Sequence, residues 1–342
     1  MLKDNKLPII YWLFTGCFLI FIMVIIGGIT RLTQSGLSIV EWNLIMGSLP
    51  PMNADDWQVL FQKYQTSPQY KLINNGISLE EFKSIFWWEY IHRLFGRFIG
   101  LVFFVPFVYF WITKKFDAPL LKKVLIVFAL GGLQGVLGWY MVASGLVKNP
   151  FVSHYRLAAH LITAFSAFGF TFWVALGLLF PSNELVKNST LKGLKRLINA
   201  LFVILIIQII YGAFVAGMHA GKIYNTFPLM GDSLMPESVY AMNPWWKNFL
   251  ENHSGVQFIH RYMAYTVATL AAVIWYKSRK ERLHPKVINA INFMASIVVV
   301  QFLLGVFTLV YGVPVSLGVI HQAGAFILFA SLIYLVFWIR RF

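Results

Sequence analysis

Long apolar runs separated by short polar segments dominate the chain, and they set its class before any single residue does. Eight runs are long enough to cross a bilayer, which takes about 20 mostly apolar residues. They lie at 9–28, 94–113, 123–145, 157–180, 197–218, 257–276, 287–311 and 316–338. The pattern predicts an all-α polytopic membrane protein with eight transmembrane helices. The first run carries no small-residue cleavage site and no Arg- and Ser-rich leader, so it reads as a retained helix. Two polar segments are long, 29–93 and 219–256. Within the first, residues 54–66 have the spacing of a short amphipathic helix, expected on the membrane surface or over the first half of the protein. Ser78 followed by Glu81 reads as a capping box. The second long helix should therefore start near Ser78 and run unbroken into the membrane.

Composition sharpens this picture. Of 342 residues 58% are hydrophobic and 12% charged, about half the charge of an ordinary globular chain, and mean hydropathy is +0.69. The net charge of +15 would suit nucleic acid, but the basic residues sit in short loops between apolar runs. Membrane lipid is thus the expected neighbour and nucleic acid is not. With eight spans both termini share one face. Together with loops 114–123, 184–196 and 277–286, that face holds 17 of the 28 Lys and Arg, from Lys3 and Lys6 through Lys187 to Arg341, against the acids Asp4, Asp117, Glu184 and Glu281. The positive-inside rule puts this face in the cytoplasm and the two long loops outside. In a bacterium this is the cytoplasmic membrane. The one cysteine, Cys17, permits no intrachain disulfide and reads as a small packing residue.

The chain also repeats itself. Tyr90–Arg93 returns as Phe258–Arg261, 168 residues on; Gln134, Gly138 and Gly145 return as Gln301, Gly305 and Gly312, 167 on. His160, Ala164 and Phe165 match His321, Ala325 and Phe326, while Gly27, Gly36, Ser48, Leu49 and Pro51 match Gly212, Gly221, Ser233, Leu234 and Pro236. The expected organisation is two tandem four-helix bundles, residues 1–180 and 181–342, related by a pseudo-twofold axis along the membrane normal. Gly131, Gly135 and Gly138 are expected to let helices approach closely.

The repeat singles out four of the eight histidines. His92, His160, His260 and His321 each fall near the outer end of a helix running inward. Each half contributes one from its second helix and one from its fourth. Two imidazoles from different helices can face one iron, so these four are the candidate metal ligands and haem is the candidate cofactor. A zinc site is less apt, because each half has too few ligands for a closed tetrahedral shell. Arg31, Arg93, Arg156 and Arg261 flank the histidines and are candidates for haem propionates, with interfacial snorkelling as the plain alternative. His154, His219, His253 and His284 fall in loops or at helix ends, where interfacial hydrogen bonding accounts for them. The halves differ beside the second-helix histidine: Glu89 precedes His92 by three residues, and its counterpart before His260 is Gln257. A carboxylate at a membrane entry is costly unless paired or used, so Glu89 reads as a catalytic or substrate-orienting group, or else as the partner of Arg93. Glu41 lies in the same outer loop without an assigned role. Phe86, Trp87 and Trp88 read as an interfacial belt.

Gly28-Ile29-Thr30-Arg31-Leu32-Thr33 with Ser35-Gly36-Leu37-Ser38, Glu89-Tyr90-Ile91-His92-Arg93 with Gly96-Arg97, and the repeated His160, His260 and His321 together resemble the haem A synthase family over essentially the whole chain. The resemblance implies oxidation of the C8 methyl of haem O to a formyl group, giving haem A for a terminal oxidase. It implies a resident haem b on His260 and His321, haem O as substrate at His92 and His160, and a functional acid at Glu89. It also implies two successive hydroxylations followed by loss of water. Relatives with a cysteine pair in the first outer loop have no counterpart here, so the chain resembles the cysteine-free branch and excludes a thiol–disulfide step. Haem O synthase and the assembling terminal oxidase are the implied partners; a homo-oligomer stays open. Two other classes remain in view. A bis-histidine di-haem electron-transfer cytochrome would hold two permanent haems and form no product. A repeat-built transporter would show broken helices at mid-membrane, which the unbroken apolar runs disfavour.

Overall fold

The structure, a computed structural model, describes residues 6–41, 49–146, 150–181 and 191–342. Lys3, Asp4, Ser48, Glu184 and Lys187 of the readings above lie outside the described residues. The architecture is all-helical: α1 (Leu7–Leu32), α2 (Ala54–Gln65), α3 (Pro68–Leu72), α4 (Leu79–Ile112), α5 (Ala118–Gly145), α6 (His154–Leu179), α7 (Lys192–Gly217), α8 (His253–Ser278), α9 (Pro285–Val310) and α10 (Val315–Ile339). Among the described residues seven helices are long and apolar enough to cross a membrane. The eighth expected span, 257–276, falls on α8, which has 26 residues like its neighbours but is not one of the seven. Its first turns carry Gln257, His260, Arg261 and Tyr262, and these polar side chains lower the hydropathy that its length would otherwise earn.

The helix starts follow capping chemistry. Asn53, Ser67, Asp117 and Asn252 each accept a backbone N–H of the turn they precede. The Ser78–Glu81 capping box is formed at the start of α4. With 34 residues α4 is about 50 Å long, well beyond the roughly 30 Å of a hydrocarbon core, so its first turns stand clear of the apolar zone. The amphipathic helix α2 lies on those turns: Trp57, Phe61 and Tyr64 pack on Phe82 and Phe86. Phe86 is thereby buried rather than part of an interfacial belt, while Trp87 stays exposed.

Helix contacts come in matching sets. α1 packs on α4 as α7 packs on α8; α5 packs on α6 as α9 packs on α10; between these groups α1 meets α10 and α6 meets α7. A single core crosses the junction, with Cys17, Val24, Phe165 and Phe168 joined to Phe326, Phe329 and Leu332. Gln322 Nε2 donates to Val24 O at 2.9 Å across it, in the space left by Gly28. Lys6 Nζ meets Asp117 Oδ2 at 2.7 Å, and Arg341 donates to Phe180 O. Lys6 and the start of α1, Arg341, the α4–α5 turn and the end of α6 therefore gather at one end of the molecule; the described parts of the long loops lie at the other.

Candidate functional site

At that other end each of the four repeated histidines sits in the same local setting. Its ring lies against a glycine of the neighbouring helix: His92 on Gly27, His160 on Gly138, His260 on Gly212 and His321 on Gly305. A Cβ built at these glycines would come within 3.3, 3.5, 3.2 and 3.0 Å of the respective rings. Larger residues would press on the imidazole, so glycine sets where each ring can stand. The backbone carbonyls of three histidines are also tied down: Gln134 Nε2 donates to His160 O at 3.0 Å, Gln208 Nε2 to His260 O at 3.0 Å, and Gln301 Nε2 to His321 O at 2.9 Å. Gln208 escaped the sequence reading, because its repeat position in the first half is Met23 and self-comparison does not mark it. A lone amide in an apolar helix was the available signal.

The rings pair within halves. His92 and His160 are electrostatic neighbours, as are His260 and His321. All four keep some accessible surface although each is packed deep among protein atoms, so that surface faces the space between helices. His160 and His260 bury an Nδ1 without a hydrogen-bond partner, a costly state in a plain apolar core. Among the described residues no three His, Cys, Asp or Glu side chains gather as a metal-ion group. Two neighbouring imidazoles per half, each set on a glycine, with Gln301 Nε2 also 3.1 Å from His321 Nδ1, suit a macrocycle that would bring its own equatorial ligands.

The acid and the arginines form a second layer beside the histidines, toward the loops that follow α1 and α7. Glu89 is 2% exposed and both carboxylate oxygens are engaged. Oε1 meets Arg93 at 2.6 Å; Oε2 accepts from Ser38 Oγ at 2.7 Å and from Ile39 N at 2.8 Å. Arg93 also donates to Ile39 O and Glu41 O. The loop after α1 is thus strapped onto α4. The second half repeats the strap with different chemistry: Gln257 Nε2 donates to Tyr224 O at 3.1 Å, and Arg261 donates to Tyr224 O, Thr226 O and Leu229 O. Tyr224 is the repeat position of Ile39. A carboxylate grips a backbone N–H in one half, and an amide grips a carbonyl in the other. Glu41 pairs with Lys63 at 2.8 Å, which ties α2 to this strap.

The other arginines also serve as struts. Arg31 donates to Ala216 O and Gly217 O at the end of α7, across the junction, and keeps a buried, unpartnered Nε. Arg156 donates to Tyr140 O and stacks on that ring at 3.6 Å. Of the loop histidines, His154 bonds Leu250 O. His219 sits beside Arg31, and burial, then the charges of Arg31 and Lys222, pushes its pKa down to about 4, so it adds no positive charge there at neutral pH.

A helical membrane protein with two partly buried imidazole pairs at one end fits the class of haem-handling membrane proteins. Within that class the chain belongs to the COX15-CtaA family, described as cytochrome oxidase assembly protein, whose model matches residues 10–333. It is 50% identical to the heme A synthase of Nitrosospira multiformis over 334 residues, 98% of this chain and 94% of that one. It is 48% identical to the heme A synthase of Flavobacterium johnsoniae over 338 residues, 98% of both. The heme A synthase of Wolbachia pipientis wMel is 42% identical over 337 residues, 98% of this chain and 93% of that one.

Proposed function

We propose that this chain is a haem A synthase, oxidising the C8 methyl of haem O to a formyl group, with its two tandem halves, 1–180 and 181–342, divided between chemistry and cofactor. The observation that carries this division is the repeated histidine pair with a buried carboxylate beside only one copy. His260 and His321 hold a resident haem b, and His92 and His160 hold haem O. A bound haem b supplies one-electron transfer. The protein's part is positional. Gly212 and Gly305 set the resident ligand rings, Gly27 and Gly138 set the rings over the substrate, and the strap on α4 shields the substrate site from outside water. Glu89, held by Ser38, Ile39 and Arg93, places a fixed negative charge at the edge of the substrate site, where it favours positive charge developing at the methyl carbon. Arg31 and Arg261 each keep a buried Nε without a partner and are the arginines best placed to meet propionates; Arg93 and Arg156 complete the basic rim. Haem O synthase and the terminal oxidase under assembly are the proposed partners.

The deciding experiment is pigment extraction after expression with a source of haem O. Haem A in the extract is the expected result, whereas haem B alone would favour the di-haem cytochrome. Orientation has its own check. With the termini in the cytoplasm of a bacterial inner membrane and the histidines near the outer face, single cysteines placed within 53–75 of a Cys17→Ala background should react with an impermeant thiol reagent in intact cells. Labelling only after lysis would invert this topology.

A further inference from the structure

Gly131 and Gly135 do not mediate the close helix approach that a small-residue stripe suggests. A Cβ built at either position, or at Gly100 on the facing side of α4, meets nothing within 4 Å. The three glycines are exposed and, by helical spacing, share faces with the phenylalanines that meet between α4 and α5: Gly100 lies one turn before Phe103, and Gly131 and Gly135 lie one and two turns after Phe128. These helices touch chiefly at their inner ends, where Phe103 and Phe107 close on Phe128 with ring centroids 6.3 and 4.7 Å apart. α8 and α9, the corresponding pair, pack along each other.

The repeat shows how the halves exchanged their bulk. At the positions of Gly100, Gly131 and Gly135 the second half carries Ala268, Val298 and Phe302; at those of Phe103 and Phe128 it carries Ala271 and Ala295. Phe302, Tyr265 and Phe227 form a ring cluster, with centroids 5.3 to 6.3 Å apart, one turn from Gly305 and its histidine. A crevice of about 690 Å³ does separate α8 and α9, but it extends inward from Phe302 past Ala271 and Ala295 to Arg279. The space beside the histidines is open in the first half and plugged in the second.

We propose that Gly100, Gly131 and Gly135 form a slot for the isoprenoid chain of haem O beside His92 and His160, and that Phe302 with Tyr265 and Phe227 excludes such a chain from the resident haem. The inference rests on haem O binding in the first half. Two observations place this occupant there. The slot leads to Gly138, against which His160 turns its buried, unpartnered Nδ1, so the slot is continuous with the candidate iron site. From Gly138 down to Phe128 the helix rises about 15 Å, room for an extended chain of three isoprene units with the phenylalanines as its floor. Haem B lacks this chain and gains nothing from the slot. A floor and a plug at opposite levels sort two haems between two otherwise similar sites.

The test is a spectroscopic titration of purified protein, already carrying its resident haem, with haem O and with haem B. Wild type should bind haem O at least tenfold more tightly than haem B. Gly135→Phe, which installs the second-half residue, should remove that preference by weakening haem O alone, with resident haem content and thermal midpoint unchanged. Gly100→Leu, from the opposite wall, should act the same way and serves if the first variant does not fold. Equal affinity of wild type for the two haems, or unchanged haem O affinity in a folded variant, would overturn the slot and leave the function intact. Failure of wild type to bind either haem beyond its resident one would overturn the slot together with the functional reading.

Discussion

Purified protein carrying His260→Ala or His321→Ala is expected to have lost the low-spin b-type absorbance of the wild type. Both rings stand on glycines and are electrostatic neighbours within one half, so loss of either leaves the site with one imidazole of its pair. A low-spin iron needs both strong axial ligands; one ring would leave a weakly held, high-spin haem or none. His92→Ala and His160→Ala should leave that absorbance in place, because their pair lies in the other half. The effect should be nearly all-or-none and is read directly from the reduced spectrum and the haem-to-protein ratio. An unchanged low-spin spectrum in both second-half variants would put the resident cofactor elsewhere.

Glu89→Gln is expected to lower haem A formation by a factor of roughly ten or more, about 1.4 kcal/mol on the barrier, with resident haem near wild type. The substitution keeps shape and removes charge. Gln257 shows that the fold accepts the amide at the matching place, where it donates to Tyr224 O. In the first half, however, an amide can accept only through its oxygen, while Oε1 and Oε2 now serve Arg93, Ser38 and Ile39 together. Glu89→Ala is the poorer probe, since it removes every acceptor that Glu89 offers to Arg93, Ser38 and Ile39, and breaking a buried pair by deleting one partner costs about 3–5 kcal/mol. Haem O or a partly oxidised alcohol should accumulate on the Glu89→Gln protein. Normal haem A output would reject a role for the charge in the reaction, and loss of both haems would make Glu89 purely a strap residue. Ser38→Ala separates the two roles: it loosens the strap and leaves the charge, so it should fall between wild type and Glu89→Gln.

Much of this protein was legible because a bilayer imposes simple rules. The capping box at Ser78, the buried Cys17 and the amphipathic helix over 54–66 follow from local pattern, and each is present; of the eight expected spans, seven are helices long and apolar enough to cross a membrane. The four histidines were legible through repetition, which marks positions held in register at one depth. Two readings went astray for the same reason. Phe86 read as belt but is covered by α2, and Gly131 and Gly135 read as packing but face open space. Residue type gives size and polarity; it does not say what stands opposite.

By itself the sequence determined the class of protein, its repeat, its four candidate ligands and the charge difference three residues before the second-helix histidine, Glu89 against Gln257. These properties are carried by periodicity and residue type along a single chain, and desolvating a backbone in lipid leaves helices as the main solution. Only the tertiary structure decided what the glycines touch, that Arg93 and Arg261 strap loops onto helices, and that Glu89 has both oxygens engaged. It also decided that bulk beside the two histidine pairs is placed at opposite levels. Those facts depend on which helix faces which and at what rotation, and packing among elements distant in the chain sets that relation.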